Sequence, residues 1–282
     1  MIKAVFFDID GTILDSRGEI LPSTLRGIEA LHQQGIKCFI SSGRGPSSAE
    51  DLLKGTPFDG YVLYNGQLCF SHDTGIYEHY FSVDTLQALG RYTEQEQRHI
   101  IFGGRDRYYG SKSLQWGQFK WLKKVHRVLP LKITVPKLEA NLQKIRKIIR
   151  PKQEQVKTPK QIFSEPMYQC VLLSSPSEQR ELEKQFPDCQ FTRSNPYAVD
   201  IIPKGGSKLV GITKVLEHYG LFLSEAMAFG DSWNDLEMLE GVGIGIAMGN
   251  GEEEVKAIAD YVTASNDADG IYQGLQHVGL VR

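Results

Sequence analysis

Two hydrophobic rhythms alternate along this chain, one of strands and one of helices. The apolar run Lys3–Phe7 reads as a buried strand, and Leu25, Ile28 and Leu31 then recur at helical spacing between Ser23 and Gln34. Pro22 and Ser23 favour a helix start there, and Gly35 ends it. A second apolar strand, Lys37–Ile40, precedes a helix over Ser47–Leu53 and a strand over Tyr61–Tyr64. The C-terminal part resumes the same rhythm: helix Lys208–Tyr219, strand Ala226–Phe229, helix Ser232–Leu239, strand Gly243–Ala247, helix Glu252–Ala259 and a short strand Tyr261–Thr263. Alternation of this kind predicts an α/β doubly wound parallel sheet with right-handed crossovers.

The middle reads differently. Helical spacing over Thr85–Glu96, Leu138–Ile149 and Ser177–Phe186 is mixed with strand patterns over His99–Phe102 and Met167–Leu173, which suggests an α+β sheet with helices on one face. Asn65-Gly66, between Tyr61–Tyr64 and Gln67–Phe70, reads as a hairpin turn. The polar stretch Pro151–Pro159 reads as a loop. The expected organisation is a core built from residues 1–83 and 192–282, with an α+β domain, 84–191, inserted in it.

Composition narrows the class. The 282 residues are 41% hydrophobic and 23% charged, which fits a globular protein with a sizeable core. No apolar run reaches the roughly 18 residues of a membrane helix, and acids interrupt the N-terminal apolar stretch, so neither a membrane partner nor a signal peptide is expected. Cys38, Cys69, Cys170 and Cys189 show no CxxC pairing, which predicts reduced thiols and a cytoplasmic setting. Net charge is only −2, yet Lys120 to Arg150 is rich in Lys and Arg around one acid, Glu139. Such a stretch could steer an anion, but it reads more readily as a solvated helix face. Without a nucleic-acid motif beside it, a nucleic-acid partner is not expected.

The chemistry concentrates at strand ends. Lys3–Phe7 runs into Asp8-Ile9-Asp10-Gly11-Thr12. Residues two apart in extended backbone face the same way, so Asp8 and Asp10 can address one ligand. Desolvated carboxylates need a cationic partner, and a hard cation such as Mg²⁺ suits them, leaving one acid as nucleophile and the other to move protons. Asp-Gly is also an ordinary turn dipeptide. Ser42, Gly43 and Arg44 follow the second strand, where a hydroxyl and a backbone N–H make a phosphate cradle. Lys208, opening a helix, can bring a compact positive charge to a phosphoryl oxygen. Strand Ala226–Phe229 ends in Gly230-Asp231-Ser232-Trp233-Asn234-Asp235. Here Asp231 could hold a metal, Asn234 could donate to phosphate or fix an acid, and Asp235 could support or ligate. Helix capping by Asp231 or Ser232 competes with this reading without excluding it.

Taken in order, DIDGT at Asp8–Thr12, SGR at Ser42–Arg44, Lys208 and GDSWND at Gly230–Asp235 resemble the motifs of the haloacid dehalogenase (HAD) superfamily, specifically the Cof-type phosphatases of subclass IIB. The resemblance spans essentially the whole chain. It implies a Rossmann-like core with an inserted C2-type cap, and a Mg²⁺-dependent phosphoric monoester hydrolase working through an aspartyl-phosphate. By the same resemblance Asp8 is the nucleophile and Asp10 the general acid/base. Asp8, Asp10 (through its carbonyl) and Asp231 hold Mg²⁺. Ile9, Ser42, Gly43, Lys208 and Asn234 bind phosphate, and Asp235 supports them. Ser42 stands where relatives commonly have threonine, and the hydroxyl survives. The long gap from Arg44 to Lys208 fits a mobile cap whose closure excludes water, with Arg105, Trp116 and Trp121 as candidate substrate contacts. The implied partner is a small phosphorylated metabolite: a sugar phosphate, pyridoxal phosphate or a flavin-type phosphate. A phosphomutase of the same superfamily, or a non-catalytic phosphate- or nucleic-acid-binding regulator, are the alternatives.

Overall fold

The computed structural model describes residues 1–53, 55–72, 74–110 and 160–282. In chain order the first part forms β1 (Ala4–Phe7), α1 (Pro22–Gln33), β2 (Lys37–Ser41), α2 (Pro46–Leu52), β3 (Gly60–Leu63), β4 (Leu68–Ser71) and β5 (Thr74–Glu78). The middle forms α3 (Val83–Gln95), β6 (Ile100–Gly104), β7 (Tyr108–Gly110), β8 (Met167–Leu173), α4 (Gln179–Gln185), β9 (Cys189–Asn195) and β10 (Ala198–Pro203). The last part forms α5 (Lys208–His218), β11 (Ala226–Gly230), α6 (Leu236–Gly241), β12 (Ile244–Ala247), α7 (Glu253–Ile258), β13 (Tyr261–Val262) and α8 (Gly270–His277).

Two compact units result, Met1–His79 with Gly206–Arg282, and Tyr80–Gly205. The first contains an eight-stranded sheet in the order β13-β12-β11-β1-β2-β3-β4-β5. Its pairs from β13 to β3 are parallel, and β4 and β5 add antiparallel strands at one edge. β1 lies in the interior and alternates its side chains between two layers. Val5 and Phe7 join Ile28, Leu31 and Leu275 on one face, and Ala4 and Phe6 join Ile212, Val215 and Leu216 on the other. Phe7 stacks on Phe229 at 5.4 Å, and Phe6 on Phe39 at 5.0 Å. A strand buried on both faces needs this unbroken apolar run. The first polar side chains after it therefore emerge at the carboxyl edge.

The hairpin at Asn65-Gly66 is present. Leu63 pairs with Leu68, and Tyr64, Asn65 and Gly66 all take positive φ. Gly66 is required there, because a methyl group would stand 1.9 Å from the Ser207 carbonyl oxygen.

The second unit carries a five-stranded antiparallel sheet, β7-β6-β8-β10-β9. This corrects the expected boundaries. Residues 192–205, assigned above to the core, belong to the inserted unit, as do 80–83. The reason is pairing. β10 supplies the antiparallel partner of β8 and β9 pairs with β10, so ending the insertion at Phe191 would strip β8 of a neighbour and cut β9 in two. The helix expected over Ser177–Phe186 begins with a single tight turn, Pro176–Glu178, before α4. Helix Leu138–Ile149, the loop Pro151–Pro159, Trp116, Trp121 and the basic stretch lie outside the described residues. Among the described residues, no helix is long and apolar enough to cross a membrane.

Candidate active site

The carboxyl ends of three adjacent strands, β11, β1 and β2, carry the acids and the phosphate-type loop. This is where open α/β sheets present ligand sites. Asp8 directly follows β1 and is 5% exposed, and its N–H donates to the Phe229 carbonyl at 3.0 Å. The chain then turns sharply. Ile13 and Leu14 N–H groups return to the carbonyls of Asp8 and Ile9, at 3.2 and 3.0 Å. Gly11 makes the turn possible, with φ +84°.

Lys208 enters from the first turn of α5, whose N-cap Ser207 accepts from the Val210 N–H. Its side chain is fully buried, and Nζ lies 2.6 Å from both Asp8 Oδ1 and Asp235 Oδ1. Asp235 is committed on its other oxygen as well: Oδ2 accepts from the N–H groups of Asp231 and Ser232, each at 2.9 Å. It therefore shapes the loop after β11 and orients Lys208. Asp231 accepts from Thr12 Oγ1 at 3.0 Å and from Ser232 Oγ at 3.1 Å. Asp8, Asp231 and Asp235 each offer an oxygen within 4.8 Å of the others.

Burial governs the electrostatics. Desolvation pushes the Asp8 carboxyl up to about 7, with Asp235 and Asp10 adding to the effect and Lys208 opposing it. Asp231 is raised well above the usual carboxylate range by burial, then by Asp8 and Asp235. Burial also works against the Lys208 charge, but Asp235 and Asp8 outweigh it, so the ammonium stays protonated more strongly than usual. Asp8, Asp231 and Asp235 converge on one another around the single buried ammonium of Lys208, so an added cation would favour their ionised forms. Hard oxygen donors of this kind fit Mg²⁺.

Ser42, at the end of β2, is buried. Its N–H donates to Val62, its hydroxyl accepts from the Arg44 N–H at 3.3 Å, and its carbonyl accepts from the Asn65 N–H. Gly43 lies between Ser42 and Arg44 in the same loop. Asn234 donates from Nδ2 to Asn65 Oδ1 at 2.9 Å, while its own Oδ1 is buried without a hydrogen-bond partner. The expected residues Asp8, Ile9, Asp10, Ser42, Gly43, Lys208, Asn234 and Asp235, with Asp231, all lie in the first unit. Arg105 lies in the inserted unit, exposed in the turn between β6 and β7.

Sequence reasoning missed three contributors. Thr12 reads in the sequence as part of a motif, yet it donates to Asp231 across 219 residues. Asn65 reads as a turn former, yet its side chain meets Asn234. Arg44 carries no role of its own in the SGR motif, yet it pairs with Asp10. Positive φ at a buried Asn (Asn65 is 1% exposed) is the physical signal, and it becomes visible only in the fold.

Comparison with known proteins gives a consistent picture. The family model described as haloacid dehalogenase-like hydrolase matches residues 5–275. The chain is similar to YkrA of Bacillus subtilis, at 30% identity over 283 residues with 99% of each chain covered. It is also similar to the 5-amino-6-(5-phospho-D-ribitylamino)uracil phosphatase YitU of the same organism, at 28% identity with 96% of each chain covered. Among solved structures, the HAD subclass IIB sugar phosphatase BT4131 superposes with a TM-score of 0.78 at 29% identity, over 99% of this chain and all of that one.

Proposed function

The chain belongs to the haloacid dehalogenase-like hydrolases, and on that premise we propose that it is a Mg²⁺-dependent phosphatase of small phosphomonoesters acting through an aspartyl-phosphate. One observation carries the proposal: a buried lysine holds Asp8 and Asp235 at 2.6 Å each, beside Asp231, at the carboxyl edge of the sheet. Such a group of acids is costly to bury unless its ligand brings compensating charge and polar contacts.

In this reading Asp8 attacks phosphorus, and the bond from phosphorus to the ester oxygen breaks as Asp10 gives that oxygen a proton. Asp10, now a carboxylate, takes a proton from water. The water oxygen attacks phosphorus, the bond to Asp8 breaks, and inorganic phosphate leaves. Lys208, the Ser42 hydroxyl, the N–H groups of Ile9 and Gly43, and Asn234 bind the phosphoryl oxygens, so catalysis is mainly positioning and charge stabilisation. Asp8, the Asp10 carbonyl and Asp231 would hold Mg²⁺, which when bound supplies positive charge against the transferred group.

The inserted unit, which carries Arg105, takes the place of the cap and is the source of substrate selectivity in this reading. Sugar phosphates and flavin-type precursors are the first substrates to test, because BT4131 is a sugar phosphatase and YitU acts on a ribityl phosphate. Pyridoxal phosphate completes the panel. The four cysteines, buried as free thiols, fit a cytoplasmic setting. The decisive experiment measures phosphate release across that panel, with and without Mg²⁺, for the natural chain and Asp8→Asn. The variant is expected to be inactive yet folded, and near-normal turnover by it would overturn the mechanism.

A further inference from the structure

Asp10 does not stand alone on its loop. Arg44 Nε lies 2.5 Å from Asp10 Oδ2, and Arg44 Nη2 lies 2.7 Å from Asp10 Oδ1. The third nitrogen, Nη1, donates to Ser48 Oγ at 2.8 Å, in the first turn of α2. The Arg44 side chain is 9% exposed, whereas that of Asp10 is 41% exposed. The more buried residue therefore carries the more accessible one. The two belong to neighbouring loops, one after β1 and one after β2, so the orientation of Asp10 is set from the adjacent strand. A guanidinium fork fixes both the plane and the rotation of a carboxylate, which a single ammonium cannot do.

We propose that Arg44 is a positioning residue for proton transfer: it holds the Asp10 carboxyl group in one rotation, so that the proton reaches the leaving oxygen as the ester bond breaks. The inference rests on the reading of Asp10 as general acid and base given above. Arg44 neither gives nor takes a proton. Each carboxylate oxygen has lone pairs beyond the one the fork uses, so clamp and proton occupy different sites on the same group. Ser48 holds the clamp itself in place. The benefit is geometric, because a proton donor free to rotate spends much of its time out of line with the bond that is breaking.

The effect is read by varying the leaving group. General-acid help matters for a poor leaving group and little for a good one, and kcat/KM reports only the steps up to phosphoenzyme formation. Phenyl phosphate and 2,4-dinitrophenyl phosphate are compared, in the presence of Mg²⁺, for the natural chain, Asp10→Asn, Arg44→Gln, Arg44→Lys and Ser48→Ala. Arg44→Gln is expected to lower kcat/KM for phenyl phosphate by about a hundredfold and for the dinitrophenyl ester by less than about threefold. Arg44→Lys falls between the natural chain and Arg44→Gln, and Ser48→Ala shows a smaller loss of the same selectivity. Equal losses on both esters, or none, would overturn the role of Arg44 and mark it as structural. If thermal melting shows Arg44→Gln unfolded, Arg44→Lys and Ser48→Ala decide by the same ratio. An unselective Asp10→Asn removes the acid–base reading itself, and the inference with it. A selective Asp10→Asn beside unselective Arg44 variants removes only the inference.

Discussion

Gly11 and Asp231, 220 positions apart in sequence, meet so closely that a methyl group on Gly11 would lie 2.4 Å from Asp231 Oδ2. Gly11 also takes φ +84°, a conformation that side chains other than glycine rarely adopt. The loop after β1 and the acid after β11 are thus fitted to each other through a missing side chain. Gly11→Ala is expected to cost stability by about 1–3 kcal/mol through backbone strain and to displace Asp231, so activity should fall much further than the melting temperature suggests. Denaturant titration and kcat/KM on one preparation measure both. Full activity in a folded variant would show that the contact does not hold Asp231.

Lys208 bridges two buried acids, and removing it strips both of the cation they share. Lys208→Met is expected to destabilise the fold by about 3–5 kcal/mol, because the cost of stranded buried charge exceeds the worth of the pair. Asp235→Asn in the same chain removes one of the stranded charges and should recover part of the stability. It should recover none of the activity, since the cation beside Asp8 is still missing. A double-mutant cycle by urea unfolding reads the coupling directly. Additive losses would mean that Lys208 and Asp235 act independently.

The site was more legible in the sequence than the inserted unit. Asp8, Ser42, Lys208 and Asp231 could be placed together because a strand pattern ends one or two residues before three of them and a helix pattern starts at the fourth, and parallel sheets gather such ends on one edge. The extent of the insertion was less legible. β9 and β10 are antiparallel strands of mixed polarity, and β5 and β7 are half-exposed, so none carries the continuous apolar run that marks a doubly covered strand. Their assignment depends on pairing partners far along the chain. Arg44, Thr12 and Asn65 escaped for a related reason: each acts through a side chain that another strand or loop delivers, and a local motif does not show that partner.

The raised carboxyls set the response to pH and metal. Asp8, raised by burial to about 7, holds its proton in the folded protein where the unfolded chain has already released it, and Asp231 shifts in the same direction. In metal-free protein the fold then binds more protons than the unfolded chain between the ordinary carboxylate pKa and about 7. Stability therefore falls as pH rises through that window. Mg²⁺ needs the deprotonated acids, so its stabilising effect should be small near about pH 5 and large near about pH 8. Melting temperatures with Mg²⁺ and with a chelator, at those two pH values, test this. An equal Mg²⁺ shift at both, or one retained in Asp8→Asn, would contradict the assignment.

Asn65 offers a test that separates backbone from side chain. Its φ of +53° favours Asn or Gly, and its Oδ1 accepts from Asn234 Nδ2 at 2.9 Å. Asn65→Gly keeps the turn and deletes the contact, whereas Asn65→Ala also forces a β-carbon into the left-handed region. Both variants release Asn234, so both should weaken phosphate binding, read as a several-fold higher KM and weaker inhibition by inorganic phosphate. Asn65→Ala should melt lower than Asn65→Gly, by the equivalent of about 1 kcal/mol. If Asn65→Gly binds phosphate as the natural chain does, Asn65 shapes the hairpin alone and Asn234 is held by other contacts.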